Sequence, residues 1–367
     1  MNRAIALAKQ GVFTTTPNPN VGCVIVDDTG LIIGEGFHQQ AGTPHAEVHA
    51  LAQAGVAAKG ATAYVTLEPC SHHGRTGPCA EALVNAGVAR VVVAMQDPNP
   101  LVAGQGIAKL KAAGIGVSVG VAESEAQALN RGFVKRMTAG KPFVTLKLAS
   151  SLDGRTALSN GESQWITGPA ARQDVHKLRA QQCAVLTGAD TVLVDNPQLT
   201  ARVDKQTLYP SALRSLPLRQ PVRVIIDSQN RLHADLQVFH QTGQSIVVNL
   251  HHNDALSDFS SEQVVQWQVK EADGRVDLND LMLRLSQAQF NHVWLECGAT
   301  LAGAMFARSL VDEIVLYQAP KLMGQDARSL LTLPHYSAMT DIPELSVESV
   351  ETLENDIKLV LSPRYQL

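Results

Sequence analysis

The chain reads as two α/β domains in tandem. Short apolar runs of strand length alternate with segments of helical periodicity from end to end, the rhythm of sheets covered by helices. Gly140-Lys141-Pro142 punctuates that rhythm once. The 367 residues, 45% hydrophobic and 17% charged, suffice for two sizeable cores. The expected domains are 1–142 and 143–367.

The elements follow in order. Residues 2–10 form a short amphipathic helix stopped by Gly11. Strands 21–26 and 31–36 flank Asp27-Asp28-Thr29-Gly30, a hairpin turn. Residues 45–53 are helical, with Gly55 as a capping signal. Strand 62–67 delivers Glu68-Pro69-Cys70, and a helix over 79–85 closes at Gly87. A strand at 90–95 and a further helix–strand pair reach Gly120, and one helix spans 123–138. The second half places strands at 144–149, 184–187, 222–227, 245–250, 293–296 and 314–317, and helices at 168–179, 277–288 and 300–310. Two final strands lie around Glu354-Asn355-Asp356, an antiparallel edge or tail. Residues 204–218 and 251–262 are polar, the first also interrupted by proline, and read as surface loops.

Composition narrows the function. A net charge of −4 with no basic stripe gives no electrostatic reason to expect nucleic acid. Five scattered cysteines argue against a disulfide framework and for a reducing compartment. The first ten residues are too short and polar for a signal peptide, and no apolar run approaches membrane-spanning length. The expected location is the cytoplasm, with no membrane partner. Apolar helix faces allow dimers or tetramers, and a homo-oligomer is the expected state.

The chemistry-bearing motifs are His45-Ala46-Glu47, Pro69-Cys70 and Cys79. An imidazole and two thiolates suit zinc, and three protein ligands leave a fourth position for water, as hydrolysis requires. A glutamate that need not touch the metal then shuttles protons to a departing amine, the parts list of a zinc deaminase. Two other readings compete: a closed structural zinc with His49, His72 or His73 as fourth ligand, and buried thiols with no metal. Eight residues separate the cysteines, where the usual deaminase signature has two.

In the second half, two strand–helix junctions are candidate anion sites. One is Glu296-Cys297-Gly298-Ala299-Thr300-Leu301-Ala302-Gly303, the other Leu186-Thr187-Gly188-Ala189-Asp190-Thr191. Neither carries a Rossmann glycine fingerprint. Arg179 and Arg202 are candidate phosphate clamps, although an isolated arginine is more often solvated.

These residues resemble one family over essentially the whole chain. Pro17-Asn18-Pro19-Asn20-Val21-Gly22, His45-Ala46-Glu47, the run from Glu68 to Cys79 and Asp97-Pro98-Asn99-Pro100 resemble the deaminase half of the bifunctional riboflavin-biosynthesis enzymes. Residues 147–155, Ser163-Gln164-Trp165-Ile166-Thr167 and 195–202 resemble their reductase half. The long cysteine spacing is this family's own. The resemblance implies a cytidine-deaminase-like three-layer α/β/α domain followed by a dihydrofolate-reductase-like α/β domain. It implies a small-molecule substrate, a phosphoribosylated diaminopyrimidinone, which loses its 2-amino group and then has its ribosyl chain reduced to ribityl by NADPH.

The resemblance assigns Zn2+ to His45, Cys70 and Cys79, and proton transfer to Glu47. Asn18, His38, His73 and Arg75 become candidates for holding the pyrimidine and its ribose phosphate. NADPH contacts fall on Ala149, Trp165, Thr191, Asp195, Ser228 and the turn Gly298, Ala299, Thr300, Leu301, Ala302, Gly303 and Ala304. Substrate contacts fall on Ser163, Arg179, Leu199, Arg202 and Glu296. Lys147, Asp195 and Glu296 are candidates for the proton donated during reduction, and the sequence does not choose among them. Trp165 is read either as a cofactor contact or as core. Cys23, Cys183 and Cys297 are read as buried thiols. Two alternatives remain: a nucleoside or tRNA deaminase fused to an unrelated domain, and a zinc-stabilised scaffold, against which Glu47 speaks because a structural site does not need it.

Overall fold

The computed structural model describes residues 1–71, 77–100 and 102–365. The chain forms two compact units, Met1–Lys141 with Lys205–Arg219, and Pro142–Asp204 with Gln220–Leu367.

The first unit runs α1 (Asn2–Ala8), β1 (Gly22–Val26), β2 (Ile32–Phe37), α2 (Ala46–Ala54), β3 (Thr62–Leu67), α3 (Cys79–Ala86), β4 (Arg90–Met95), α4 (Gln105–Ala112), β5 (Gly116–Val119), α5 (Glu123–Leu129) and α6 (Arg131–Ala139). Its sheet has the order β2-β1-β3-β4-β5. β1 is antiparallel to β2 and β3, and β3, β4 and β5 run parallel. The hairpin turn holds because the Asp27 carboxylate accepts the Thr29 and Leu31 N–H groups at 3.0 and 2.9 Å. α2 lies directly on β2 because Gly34 and Gly36 present no side chain; a Cβ there would meet the Ala50 and Ala46 carbonyl oxygens at 2.2 and 2.4 Å. Ile25, Val65 and Val93 from the sheet and Ala46, Ala50 and Leu83 from the helices close the core.

The single helix expected over 123–138 is two, broken at Asn130. Its side chain accepts the Asn20 N–H at 2.7 Å and donates to the Asn20 carbonyl at 2.9 Å. A short amide side chain that serves another backbone segment competes with helix continuity.

The second unit contains β6 (Phe143–Ser151), β7 (Arg155–Ala157), α7 (Pro169–Gln181), β8 (Ala184–Gly188) and α8 (Ala189–Asp195). After an excursion carrying α9 (Lys205–Leu208) come β9 (Val222–Ile226), β10 (Ser245–Asn249), β11 (Val264–Gln268), β12 (Glu271–Ala272), β13 (Arg275–Val276), α10 (Leu278–Gln287), β14 (His292–Leu295), α11 (Ala299–Ala307), β15 (Glu313–Ala319), β16 (Arg328–Ser329), β17 (Glu344–Leu353) and β18 (Asp356–Arg364). Nine strands form one sheet in the order β11-β10-β9-β8-β14-β6-β15-β18-β17. It is parallel up to β15, after which β18 and β17 return antiparallel. One face buries Leu146, Leu186 and Leu295, the other Val185, Ile225 and Trp294. In such a sheet, ligands settle at the C-terminal ends of the strands.

The expected surface loop at 204–218 is instead anchored in the first unit. Tyr209 and Leu213 are each only 2% exposed. The Tyr209 ring lies 6.2 Å from that of Phe13, and Arg219 Nε donates to the Phe13 carbonyl at 2.9 Å. The polar, proline-broken composition hid two apolar anchors. Among the described residues, no helix is long and apolar enough to cross a membrane.

Candidate active sites

In the first unit, three element ends converge. His45 is the N-cap of α2, in an extended conformation. The end of β3 leads into Glu68-Pro69-Cys70, and Cys79 opens α3. His45 Nδ1 lies 3.3 Å from Cys79 Sγ and 3.6 Å from Cys70 Sγ, and the three ligand atoms fall within 4.8 Å of one another. The Cys79 N–H donates to Cys70 Sγ at 3.3 Å, so the start of α3 offers its N–H to a sulfur that carries charge. The hydrogen bond with Cys79 lowers the Cys70 pKa, and that bond together with burial raises Cys79.

Glu47, in the first turn of α2, is 2% exposed, and its Oε2 has no hydrogen-bond partner. Burial pushes its carboxyl up to about 7, against the opposing pull of His45. A nitrogen, two sulfurs and an unpartnered buried carboxylate oxygen beside them fit a hydrolytic zinc site.

Asn18 and His38 lie at this site. Asn18 Nδ2 is 3.0 Å from His38 Nε2, His38 Nδ1 is 3.2 Å from the Pro44 carbonyl, and the His38 ring meets His45 edge-on at 5.3 Å. Burial pushes His38 down to about 4, so its neutral ring donates to Pro44 and accepts from Asn18. Both nitrogens are occupied, so His38 orients Asn18. His49 is half-buried. His72, His73 and Arg75 lie outside the described residues.

Sequence inspection passed over Glu68 as a supporting residue. Its buried carboxylate accepts the N–H groups of Asp97, Gly104 and Ile107 at 3.1, 2.9 and 3.1 Å, fastening the segment that bears Cys70 to the start of α4. Its position beside Pro69-Cys70 was the available signal.

In the second unit, Arg179 on α7 forks onto Glu296, at the end of β14, with two bonds of 2.8 Å. Its remaining nitrogen donates to the Thr200 carbonyl at 2.7 Å, and Trp294 Nε1 donates to Glu296 at 2.7 Å. Burial would raise Glu296, but Arg179 and Lys147 outweigh it and hold the carboxyl below its usual value. Burial lowers Lys147. Arg202 reaches Gln198 Oε1 at 3.3 Å and His176 Nε2 at 3.1 Å. Arg179, Glu296, Lys147 and Arg202 thus meet in one electrostatic cluster, and His176 joins it unforeseen. Its sequence signal was its place one turn before Arg179.

The other reductase candidates divide by exposure. Trp165 is 63% exposed, which removes the core reading, and the Arg172 guanidinium sits 4.5 Å from its ring centroid. Ser163 and Ala149 are half-buried. Thr191 and Asp195 lie on α8, and Ser228 Oγ accepts the Val276 N–H at 3.0 Å. Gly298 caps α11 with nothing within 4 Å of where a side chain would stand, leaving the first turn open. Thr300 is exposed, Ala299, Leu301 and Ala304 are half-buried, and Ala302 and Gly303 face inward. Leu199 is packed in the core, so only its backbone is available to a ligand. The Ser150 and Thr187 hydroxyls, at the ends of β6 and β8, are fully buried without partners. Open helix N–H groups and unpartnered hydroxyls at the strand ends fit a dinucleotide. Cys23 and Cys183 are buried, and Cys297 is partly so.

A His/Cys/Cys triad beside a buried glutamate has the donor set of a hydrolytic deaminase, and the parallel-sheet unit that follows carries a charged cluster at its strand ends. Comparison agrees: residues 1–95 match the cytidine and deoxycytidylate deaminase zinc-binding region, and residues 142–359 match the RibD C-terminal domain. The riboflavin biosynthesis protein RibD of Escherichia coli K12 is 54% identical over 366 residues, 98% of each chain. That of Haemophilus influenzae is 48% identical, covering 99% of this chain and 96% of its own. Among solved structures, form 1 of Acinetobacter baumannii RibD matches at TM-score 0.90 and 47% identity, covering 99% and 98% of the two chains. The Thermotoga maritima diaminohydroxyphosphoribosylaminopyrimidine deaminase/5-amino-6-(5-phosphoribosylamino)uracil reductase matches at TM-score 0.86 and 34% identity, covering 99% and 97%. The chain belongs to the RibD family of bifunctional riboflavin-biosynthesis enzymes, with a deaminase and a reductase domain.

Proposed function

We propose that the first unit hydrolyses the 2-amino group of 2,5-diamino-6-(5-phosphoribosylamino)pyrimidin-4-one, and that the second reduces the ribosyl chain of the resulting uracil to ribityl with NADPH. The convergence of His45, Cys70 and Cys79 around a buried Glu47 with a free oxygen carries the first step. Zinc at that triad supplies a Lewis acid that makes water acidic near neutrality. Glu47 Oε2 would take a proton from the attacking water and return it to the departing amine, and burial raises its carboxyl toward that role. Asn18, held by His38, is positioned to fix the pyrimidine. His73 and Arg75 are proposed to hold the ribose phosphate.

In the second step the α11 turn from Gly298, with Ala149, Trp165, Thr191, Asp195 and Ser228, holds the dinucleotide. Ser163, the Leu199 backbone, Arg202 and Glu296 hold the substrate, with Arg179 fastening Glu296 and Thr200 in place. Of the three proton-donor candidates, Glu296, ionised by Arg179, is a poor acid, which leaves Lys147, whose pKa burial lowers, and Asp195, whose carboxyl burial raises. The domains are taken as 1–142 and 143–367, with 205–219 a supporting excursion, and the enzyme as cytoplasmic and homo-oligomeric.

Glu47→Gln tests the reading. The variant retains zinc by elemental analysis, loses deamination by about 10²–10⁴-fold, and keeps NADPH-dependent reduction of the deaminated substrate. Full deamination by the variant contradicts the proposal.

A further inference from the structure

We propose that His176 is a positioning residue of the reductase site, holding the Arg202 guanidinium ready to grip a phosphate monoester. The inference rests on the reading that the second unit handles phosphorylated ligands.

Arg179 is committed. Its Nε and one terminal nitrogen bind Glu296 and the other binds the Thr200 carbonyl, so it has little left for a ligand. Arg202 is the opposite case. Its side-chain partners among the described residues are Gln198 and His176. It is exposed, and its cation is disfavoured first by partial burial and then by the Arg179 charge. A guanidinium without a carboxylate, beside a pair that neutralises itself, calls for an anion, and its fork matches phosphate.

The backbone leading into Arg202 is fixed. Gln220 accepts the Ala201 N–H at 2.8 Å and donates to the Ala201 carbonyl at 3.1 Å, and Arg179 holds Thr200. The long side chain is the remaining freedom. His176 Nε2 lies 3.1 Å from its terminal nitrogen, while the Arg202 backbone N–H approaches Nδ1 at 3.4 Å. A guanidinium only donates, so the shorter contact requires Nε2 to accept. Burial, Arg179 and Arg202 push the imidazole down to about 4, keeping it neutral and able to accept. Arg202 is thereby ordered before the ligand arrives, and binding does not have to order it.

The phosphate is either that of the ribosyl substrate or the 2′-phosphate of NADPH, and the test separates them. Full-length His176→Ala and His176→Gln are compared with the unaltered chain on the phosphoribosylaminouracil and its dephosphorylated counterpart, with NADPH and NADH. Deamination by the same preparations monitors folding. His176→Ala is expected to raise KM for the phosphorylated substrate about tenfold with kcat preserved, leaving the dephosphorylated substrate unaffected. His176→Gln, whose amide both accepts and donates, restores most of the loss. A rise confined to NADPH and absent with NADH assigns the grip to the dinucleotide. Unchanged KM for both, or a fall in kcat that glutamine does not rescue, overturns the role. Binding of inorganic phosphate, measured by calorimetry without turnover, is expected to weaken about tenfold in His176→Ala. Unchanged affinity overturns the role even if the unaltered chain proves not to be a reductase, so the two failures are distinguishable.

Discussion

The Arg179–Glu296 pair shows how a buried charge is made tolerable. Two fork bonds from Arg179 and one from Trp294 satisfy the carboxylate. Arg179→Met leaves Glu296 buried with only Lys147 and the Trp294 bond to offset it, a change that costs about 3–5 kcal/mol and is read as a lower Tm. Because the folded-state pKa of Glu296 is depressed, its contribution is present above the unfolded value of about 4.3 and is lost as pH falls below it. The Tm difference between Arg179→Met and the unaltered chain should therefore shrink below about pH 4; a gap that widens with acid contradicts the assignment. At this scale the convergence of His45, Cys70 and Cys79 was legible, because His45-x-Glu47 and Pro69-Cys70 are local spacings that zinc chemistry would impose. Glu68 and His176 were not, because each acts through a contact with another segment that spacing alone does not reveal.

At the scale of elements, the deaminase site depends on close approach. Gly106 in α4 faces the Pro69 carbonyl so tightly that a Cβ would stand 1.9 Å from its oxygen. Gly106→Ala must displace the segment carrying Cys70, at a cost of about 1–3 kcal/mol. The variant is expected to surrender zinc to a chelator faster than the unaltered chain, and equal release rates would show that the contact does not support the site. Most strands and helices were legible because apolar runs and glycine caps mark them, as with β3 and the Gly87 cap of α3. The break between α5 and α6 was not, since Asn130 turns to serve Asn20, far away in sequence. β11 was missed because Val264–Gln268 mixes polar with apolar residues at a sheet edge. α8 was hidden behind the glycine turn that precedes it.

For the whole molecule, one chain builds two units with separate chemistries, and the excursion 205–219 leaves the second sheet between α8 and β9 to pack within the first unit. The two-domain rhythm was visible in the sequence, but that exchange was not, because Pro210 and Pro217 interrupt the segment that carries Tyr209 and Leu213. The two units are proposed to act in sequence on one substrate. Mass spectrometry of the diaminopyrimidinone ribotide incubated with the chain, with and without NADPH, tests it directly. The account predicts replacement of the amino group by oxygen in both tubes, and a further gain of two hydrogens only where NADPH is present. Deamination without the second gain contradicts the reductase assignment, and an unchanged substrate in both tubes contradicts the account as a whole.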